Sequence, residues 1–459
     1  MPVKYYPITN AQKIHFFTQT VCPKKQLLNI GVSVTIELDV DFDALKQSIY
    51  EAYDRNESMR IRFHLTKDNE TVQYIAKKED RDIQYFDFRH WKEEDAADEM
   101  RRWTEIPFER YDSPMNKIVM IDMPQGYKGL YFLVDHMTAD AQSLIVFLED
   151  IIRIYCAKKY DEEYPKPLKS YVEQLKKDLE YENNSKQLQK DREFWTNEIK
   201  KSEPIYADIF GNHALQRERF TKNNPKLRAA TSVTTDVTAG IKTFHLEADA
   251  SKRLMDFCAE YHVPPVCLLL MGLRTYISKV NNKQSDISIQ STISRRATLL
   301  EKKSGGTRIH FFPCRTIVNT EDSFLDGLEK MREAQNKNFR HSNFNPLEVF
   351  GIRQQIYNLE PGQGYEPLSL TYQPLSRKSE DMPDVRYKSN WYSNGVAAQA
   401  LYLTVMHRPE DDGLDFDFEY QKIKVTPDQL ELIYYYLCKI MFYGIEHPYA
   451  SVGEIIDAV

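Results

Sequence analysis

Along this chain the spacing of apolar and polar positions changes from segment to segment, and each change predicts an element. Residues 130–134, Leu-Tyr-Phe-Leu-Val, form an unbroken apolar run. A short run of this kind bounded by turn formers predicts a buried strand. Ile118-Val119-Met120-Ile121 is a second run, and the Pro124–Gly129 stretch between them reads as the turn of a hairpin. Ile30 to Leu38, Arg60 to Phe63 and Thr71 to Ile75 are β-branched or partly alternating and predict further strands. Phe42, Leu45, Ile49 and Tyr53 recur at helical spacing behind Asp41, a fitting cap. Leu144 to Tyr155 reads as an amphipathic helix.

Residues 172–201 differ from their surroundings. They are crowded with Lys, Glu, Gln and Asn, and they hold no Gly or Pro. The pattern predicts one long solvated helix bridging two halves, anchored by Phe194 and Trp195. It divides the chain into an N-terminal lobe (1–175), a bridge (176–200) and a C-terminal lobe (201–459). The second half resumes the style of the first. Strands are expected at Thr243–Leu246, Asp286–Ile293, Leu368–Tyr372, Leu401–Val405 and Leu414–Phe418. Helices are expected at Ala250–Tyr261, Pro264–Val280 and Thr426–Tyr443, the last with Pro427 in its first turn. Strands and helices mix without strict alternation, so the fold class is α/β or α+β, two lobes with mixed sheets.

Composition narrows the function. The 459 residues are 42% hydrophobic and 28% charged, with a net charge of -7, values of a globular chain rather than a disordered one. An acidic balance argues against a nucleic-acid footprint. No apolar run approaches the ~20 residues of a membrane span, and the N-terminus shows no signal peptide. Cys22, Cys156, Cys258, Cys267, Cys314 and Cys438 form no CxxC or zinc-type spacing. They read as buried thiols of a reduced, cytoplasmic protein with no metal site. Only 16 glycines occur, and no phosphate-cradling loop is found among them.

One residue stands out chemically. His136 follows the apolar run directly, and Asp140 lies four residues on. An imidazole with a pKa near ~6.5 takes a proton at neutral pH, so at a strand mouth it suits a general base. Spacing alone leaves a plainer reading open: a turn His, and an Asp favoured in the first turn of a helix.

The company of these residues changes the weight. Asp135-His136-Met137-Thr138-Ala139-Asp140-Ala141 resembles the His-His-x-x-x-Asp-Gly motif of the condensation domains of nonribosomal peptide synthetases. Further stretches resemble that family's motifs in its order: Tyr6 to Gln12, Arg55 to Phe63, Pro107 to Met115, Asp286 to Arg296, Ile309 to Arg315 (more loosely), His341 to Glu348, and Leu370 to Gln373. The resemblance spans nearly the whole chain. It implies two chloramphenicol acetyltransferase-like lobes arranged as a V, with the motif at their junction and a tunnel from each side. It implies His136 as the catalytic residue, acting on the amine that attacks a donor thioester. Asp140 would face away from substrate and pair with an Arg, Arg296 by motif position, with Arg295 as its neighbour. Asp135 would support the local fold. Ser294, Tyr372 and Gln373 would line the tunnel, with Ser291 beside them; core packing is the other reading of Tyr372.

No bound cofactor is implied. Substrates would arrive on the phosphopantetheine of donor and acceptor carrier proteins, or on CoA. The partners are therefore carrier proteins and small acyl and amine substrates, with no nucleic acid and no membrane span. Motifs for adenylation, carrier attachment or a thioesterase are not seen, so the expectation is a stand-alone enzyme forming an amide or ester. An acyl-CoA-dependent O- or N-acyltransferase, and a degenerate scaffold recruiting synthetase partners, remain the alternatives. Two departures bear on the choice. Asp135 stands where the family has its first His, and a carboxylate there is expected to raise the pKa of His136. Ala141 stands where the family has Gly, which is tolerable at an ordinary φ.

Overall fold

Local chemistry starts and stops the elements. Asp41 accepts hydrogen bonds from the N–H groups of Asp43 and Ala44 and begins the helix Phe42–Arg55. Thr426 and Gln429 form a reciprocal capping box ahead of Pro427–Glu446. The computed structural model describes residues 3–36, 39–77, 81–183, 185–211, 213–232, 234–374, 387–408 and 411–459. The strand expected over Ile30–Leu38 is Asn29–Ile36, and residues 37 and 38 lie outside the described residues.

The chain divides into two compact units, and neither is contiguous. The first comprises Met1–Leu188, Ser294–Ile309 and Ser376–Val396; the second comprises Gln189–Ile293, His310–Leu375 and Ala397–Val459. Two segments of the C-terminal half thus pack with the N-terminal one, which differs from the contiguous lobes read from sequence. Pairing explains the later segment: Tyr387–Tyr392 adds an antiparallel edge strand to Asn29–Ile36.

The first unit is built on a five-stranded sheet ordered Tyr387–Tyr392, Asn29–Ile36, Lys128–Asp135, Asn116–Asp122, Gln84–Asp87. Only the last pair is parallel. Lys128–Asp135 is central, and its apolar run serves both faces. Leu130, Phe132 and Val134 pack with Leu45, Ile49, Leu144 and Phe147. Tyr131 and Leu133 pack with Phe88, Ala96 and Met100. Residues 172–201 form two helices rather than one, Tyr171–Glu182 and Lys186–Lys201. Asn183 closes the first, and Ser185 Oγ accepts from the Leu188 N–H to begin the second. Asn and Ser compete with helical bonds in this way. The first helix is also less solvated than its composition suggests, because Tyr171 and Leu175 are buried beside Ile61, Phe63 and Met137.

The second unit holds a six-stranded mixed sheet ordered His310–Ile317, Asp286–Ile293, Ser369–Gln373, Leu401–His407, Leu414–Gln421, Ala239–Leu246. Ser369–Gln373 runs parallel to both neighbours, and the other pairs are antiparallel. Ile287, Leu370, Leu403 and Phe416 on one face join residues of the helices Pro265–Val280 and Pro427–Glu446 in the core. Trp195 stacks on Phe312 with centroids 4.8 Å apart. Among the described residues no single helix is long and apolar enough to cross a membrane; Ala248–Glu260 and Pro265–Val280 reach that length only together, and they are bent by 109°.

Close approach fixes the central sheet of the first unit. A Cβ on Gly129 would lie 2.1 Å from the Val34 carbonyl oxygen and 2.8 Å from Thr35 Cα. Backbone has no rotamer with which to yield. Gly129→Ala is expected to cost about 2 kcal/mol or more, read as a lowered thermal midpoint; an unchanged midpoint would show that the strands tolerate wider spacing.

Candidate active site around His136

The site begins where the central strand ends. Asp135 closes the ladder opposite Asn29, and its N–H donates to the Met115 carbonyl at 2.9 Å. The His136 N–H donates to the Leu28 carbonyl at 2.8 Å, which fixes the backbone one residue past the strand. A tight turn follows. The Asp135 carboxylate accepts from the Met137 N–H at 2.8 Å, and its carbonyl accepts from both the N–H and the hydroxyl of Thr138 at 2.9 Å. Asp135 is therefore a turn-forming residue, in the manner of Asp side chains that bond the backbone two residues on. Arg110 Nη2 stands 3.5 Å from Asp135 Oδ2. Burial raises the Asp135 carboxyl above its ordinary value, and Arg110 opposes that rise.

The far end of the loop is held by Asp140. It caps the helix Ala141–Tyr160 through the Ser143 N–H at 3.1 Å. Arg296 reaches it with both terminal nitrogens, Nη1 to Oδ2 at 2.7 Å and Nη2 to Oδ1 at 2.8 Å. The Arg308 N–H adds a bond to Oδ2 at 2.9 Å. Both side chains of the pair are almost wholly buried, 4% and 3% exposed. The neighbouring guanidinium acts otherwise: Arg295 Nε donates to the Arg308 carbonyl at 2.8 Å, from a left-handed backbone with φ 49°. Ala141 is the first helical residue and has no positive φ, so the absent glycine is not needed there.

Between these two anchors lies the His136 ring, partly buried, with Nδ1 enclosed. Burial lowers its pKa below the ordinary value; Asp140, the backbone of His136, Asp135 and the backbone of Ala139, in that order, pull the other way without prevailing. The rise expected from Asp135 is thus outweighed by desolvation. The ring is stacked on a second imidazole, His15, with centroids 4.1 Å apart and planes inclined by 24°. His15 Nε2 lies 3.3 Å from Thr307 Oγ1.

Of the other residues singled out by sequence, Ser294 is exposed, and its carbonyl accepts from Arg296 Nη1 at 3.3 Å. Tyr372 and Gln373 belong to the second unit. Tyr372 packs against that unit's core, with its hydroxyl 2.8 Å from His407 Nε2. Gln373 has its Oε1 buried with no hydrogen-bond partner among the described residues. Ser291 is buried and accepts from Gln335 Nε2 at 2.6 Å. Sequence reasoning missed His15, Arg110, Ser143, Thr307 and Arg308. For His15 one signal was present: it lies one helical turn beyond Gln12 of the Tyr6–Gln12 motif, on the same face.

Removing the charge of Asp140 leaves a buried guanidinium uncompensated, a change of about 3–5 kcal/mol. Asp140→Asn is expected to lower the thermal midpoint well below that of His136→Ala. Equal midpoints for the two variants would show that the pair contributes little to the fold.

Comparison with known proteins shows the family and the fold. The family model for the condensation domain matches residues 3–456. A plipastatin synthase subunit of Bacillus subtilis (strain 168) is 23% identical over 452 residues; the match covers 98% of this chain and 17% of that much longer protein. Two solved structures share the fold. The first condensation domain of the calcium-dependent antibiotic synthetase, in complex with a substrate analogue, gives a TM-score of 0.80 at 16% identity, covering 98% of this chain and 99% of that one. VibH, a condensation enzyme of nonribosomal peptide synthesis, gives 0.73 at 13% identity, covering 97% and 98%. With a family match over nearly its whole length and a buried Asp–Arg pair behind the motif His, this chain belongs to the condensation domain family.

Proposed function

We propose that this chain is a stand-alone, cytoplasmic condensation enzyme. It joins an acyl group, carried as a thioester on phosphopantetheine, to an amine acceptor. The observation that carries the reading is the state of His136: a partly buried imidazole, clamped at both ends of its loop and less basic than a free one. Such a ring is neutral at pH 7 and ready to take a proton. With Nδ1 enclosed, Nε2 is the nitrogen left to meet substrate.

In the step proposed, the acceptor nitrogen attacks the thioester carbonyl carbon and Nε2 takes the proton that the nitrogen gives up. The tetrahedral intermediate collapses, the C–S bond breaks, and the proton passes to the departing thiolate. An amide and a free phosphopantetheine thiol result. An alcohol acceptor would yield an ester by the same proton transfer, and CoA would serve as the donor thiol in an acyl-CoA variant. Ser294, Tyr372 and Gln373 are assigned to substrate contact, with donor and acceptor carrier proteins as partners. The turn made by Asp135 and the ordinary φ of Ala141 support an intact loop rather than a degenerate scaffold.

The test is acyl transfer from a carrier-bound thioester to an amine. His136→Ala is expected to lower kcat by about 10²–10⁴-fold, and unchanged turnover would remove His136 as the base. The pH profile gives a second measure. The active form is the neutral ring, and its pKa is lowered, so activity is expected to hold at pH 7 and fall on the acid side with a midpoint under ~6.5. A midpoint above that value would mean the two carboxylates outweigh burial.

A further inference from the structure

His15 approaches the motif ring more closely than any role above requires. It lies on the helix Asn10–Val21, whose buried face carries Asn10, Ala11, Gln12, Ile14 and His15. That helix is tied to the His136 loop, because Gln12 Nε2 donates to the Met137 carbonyl at 3.2 Å and to Gln73 Oε1 at 3.0 Å. One turn later the His15 ring, 5% exposed, lies nearly flat on His136. Its hydrogen bond runs to Thr307, the residue before Arg308, whose N–H holds Asp140. One buried side chain thus touches the helix, the motif ring and the segment that clamps the motif carboxylate.

The charges around the two rings decide what His15 can do. Asp135 and Asp140 face His136 from its own loop, Arg296 is occupied by Asp140, and Arg110 stands on the side of Asp135. Two imidazolium rings 4.1 Å apart repel, so the pair holds one proton at most. The carboxylates favour His136 as its holder, while burial, His136 and Arg110 all lower the pKa of His15. His15 is the neutral member, a flat wall rather than a second base.

We propose that His15 is a positioning residue for His136: stacked on one face of its ring and pinned by Thr307, it sets the plane of the imidazole and keeps water from that face, so that Nε2 meets the acceptor amine squarely. The proposal rests on the reading of His136 as proton acceptor.

The test compares His15→Ala with His15→Phe in the full chain. The first opens the face, and the second keeps a flat ring without the bond to Thr307. The ring titration of His136 is followed by NMR on histidine-labelled protein, and kcat and KM are measured across pH. His15→Ala is expected to move the His136 titration, and the acid limb of kcat, upward by about half a pH unit or more as water returns. It is expected to lower kcat about tenfold with KM little changed. His15→Phe is expected to restore the titration and most of kcat. Wild-type titration and kcat in His15→Ala would overturn the proposal, as would a Phe variant that fails as badly as Ala. If His15→Ala does not fold, His15→Ser, which also opens the face, takes its place with the same expectation. If His136→Ala retains turnover, the base assignment falls, yet the titration of His136 in the His15 variants still decides the stacking role.

Discussion

Four hydrogen bonds converge on one buried carboxylate. Asp140 accepts two from Arg296, one from the Arg308 N–H and one from the Ser143 N–H, while the Ser143 hydroxyl donates to the Gly306 carbonyl. A desolvated ion pair is tolerable only when its geometry is good and its remaining valences are filled. Here the filling comes from the helix that follows the motif and from the Ser294–Ile309 segment, far away in sequence. The loop between strand and helix is short. With the Leu28 carbonyl fixing its start and Asp140 fixing its end, the backbone of His136 has no slack. The pair therefore acts on chemistry through position: it never needs to touch a substrate to decide where the imidazole sits.

The substitution at the head of the motif shows how environment overrides adjacency. A carboxylate next to a His ought to make that His more basic. Asp135 does pull in that direction, and so does Asp140, but the ring is buried enough for desolvation to win. Asp135 is itself preoccupied, since it turns the chain by accepting from the Met137 N–H and shares its charge with Arg110. Its contribution is conformational first and electrostatic second.

Much of this was legible in the sequence, and the gaps have physical causes. The apolar run 130–134 announced a buried strand, and the structure shows why no polar side breaks the run: it is covered on both faces. Asp41 and Pro427 marked helix starts by local bonding that depends on nothing distant. The helix Asn10–Val21 has such a mark in its Thr9–Gln12 capping box, yet its face is hard to read. Its buried face carries Asn10, Gln12 and His15, so the apolar period of 3.6 residues is missing, and the clue to His15 is only its place one turn beyond Gln12. The polar stretch 172–201 read as one helix because Asn183 and Ser185, which close the first helix and open the second, do not differ in composition from helix surface. Nor does a local pattern reveal that Ser294–Ile309 and Tyr387–Tyr392 pack with the N-terminal unit; such pairings are set by contacts between residues remote in sequence.

The two sheets place different limits on where reactive groups can sit. In the first unit both faces of the central strand are packed with apolar side chains, so a polar group can be offered only beyond the strand's end. The second sheet is apolar on one face. On the other, Ser369 bonds Gln290, Thr371 bonds Thr292 and Tyr402, and Asp417 bonds Thr243. Glu419, alongside them, is pushed up to about 7 by burial. Side chains on a sheet face inherit their precision from the ladder beneath them. A side chain in a loop does not, and it has to be held by contacts from outside its own element. That difference is why so much of the first unit's buried polarity — Asp135, Asp140, Arg296, His15 — is gathered around a single imidazole.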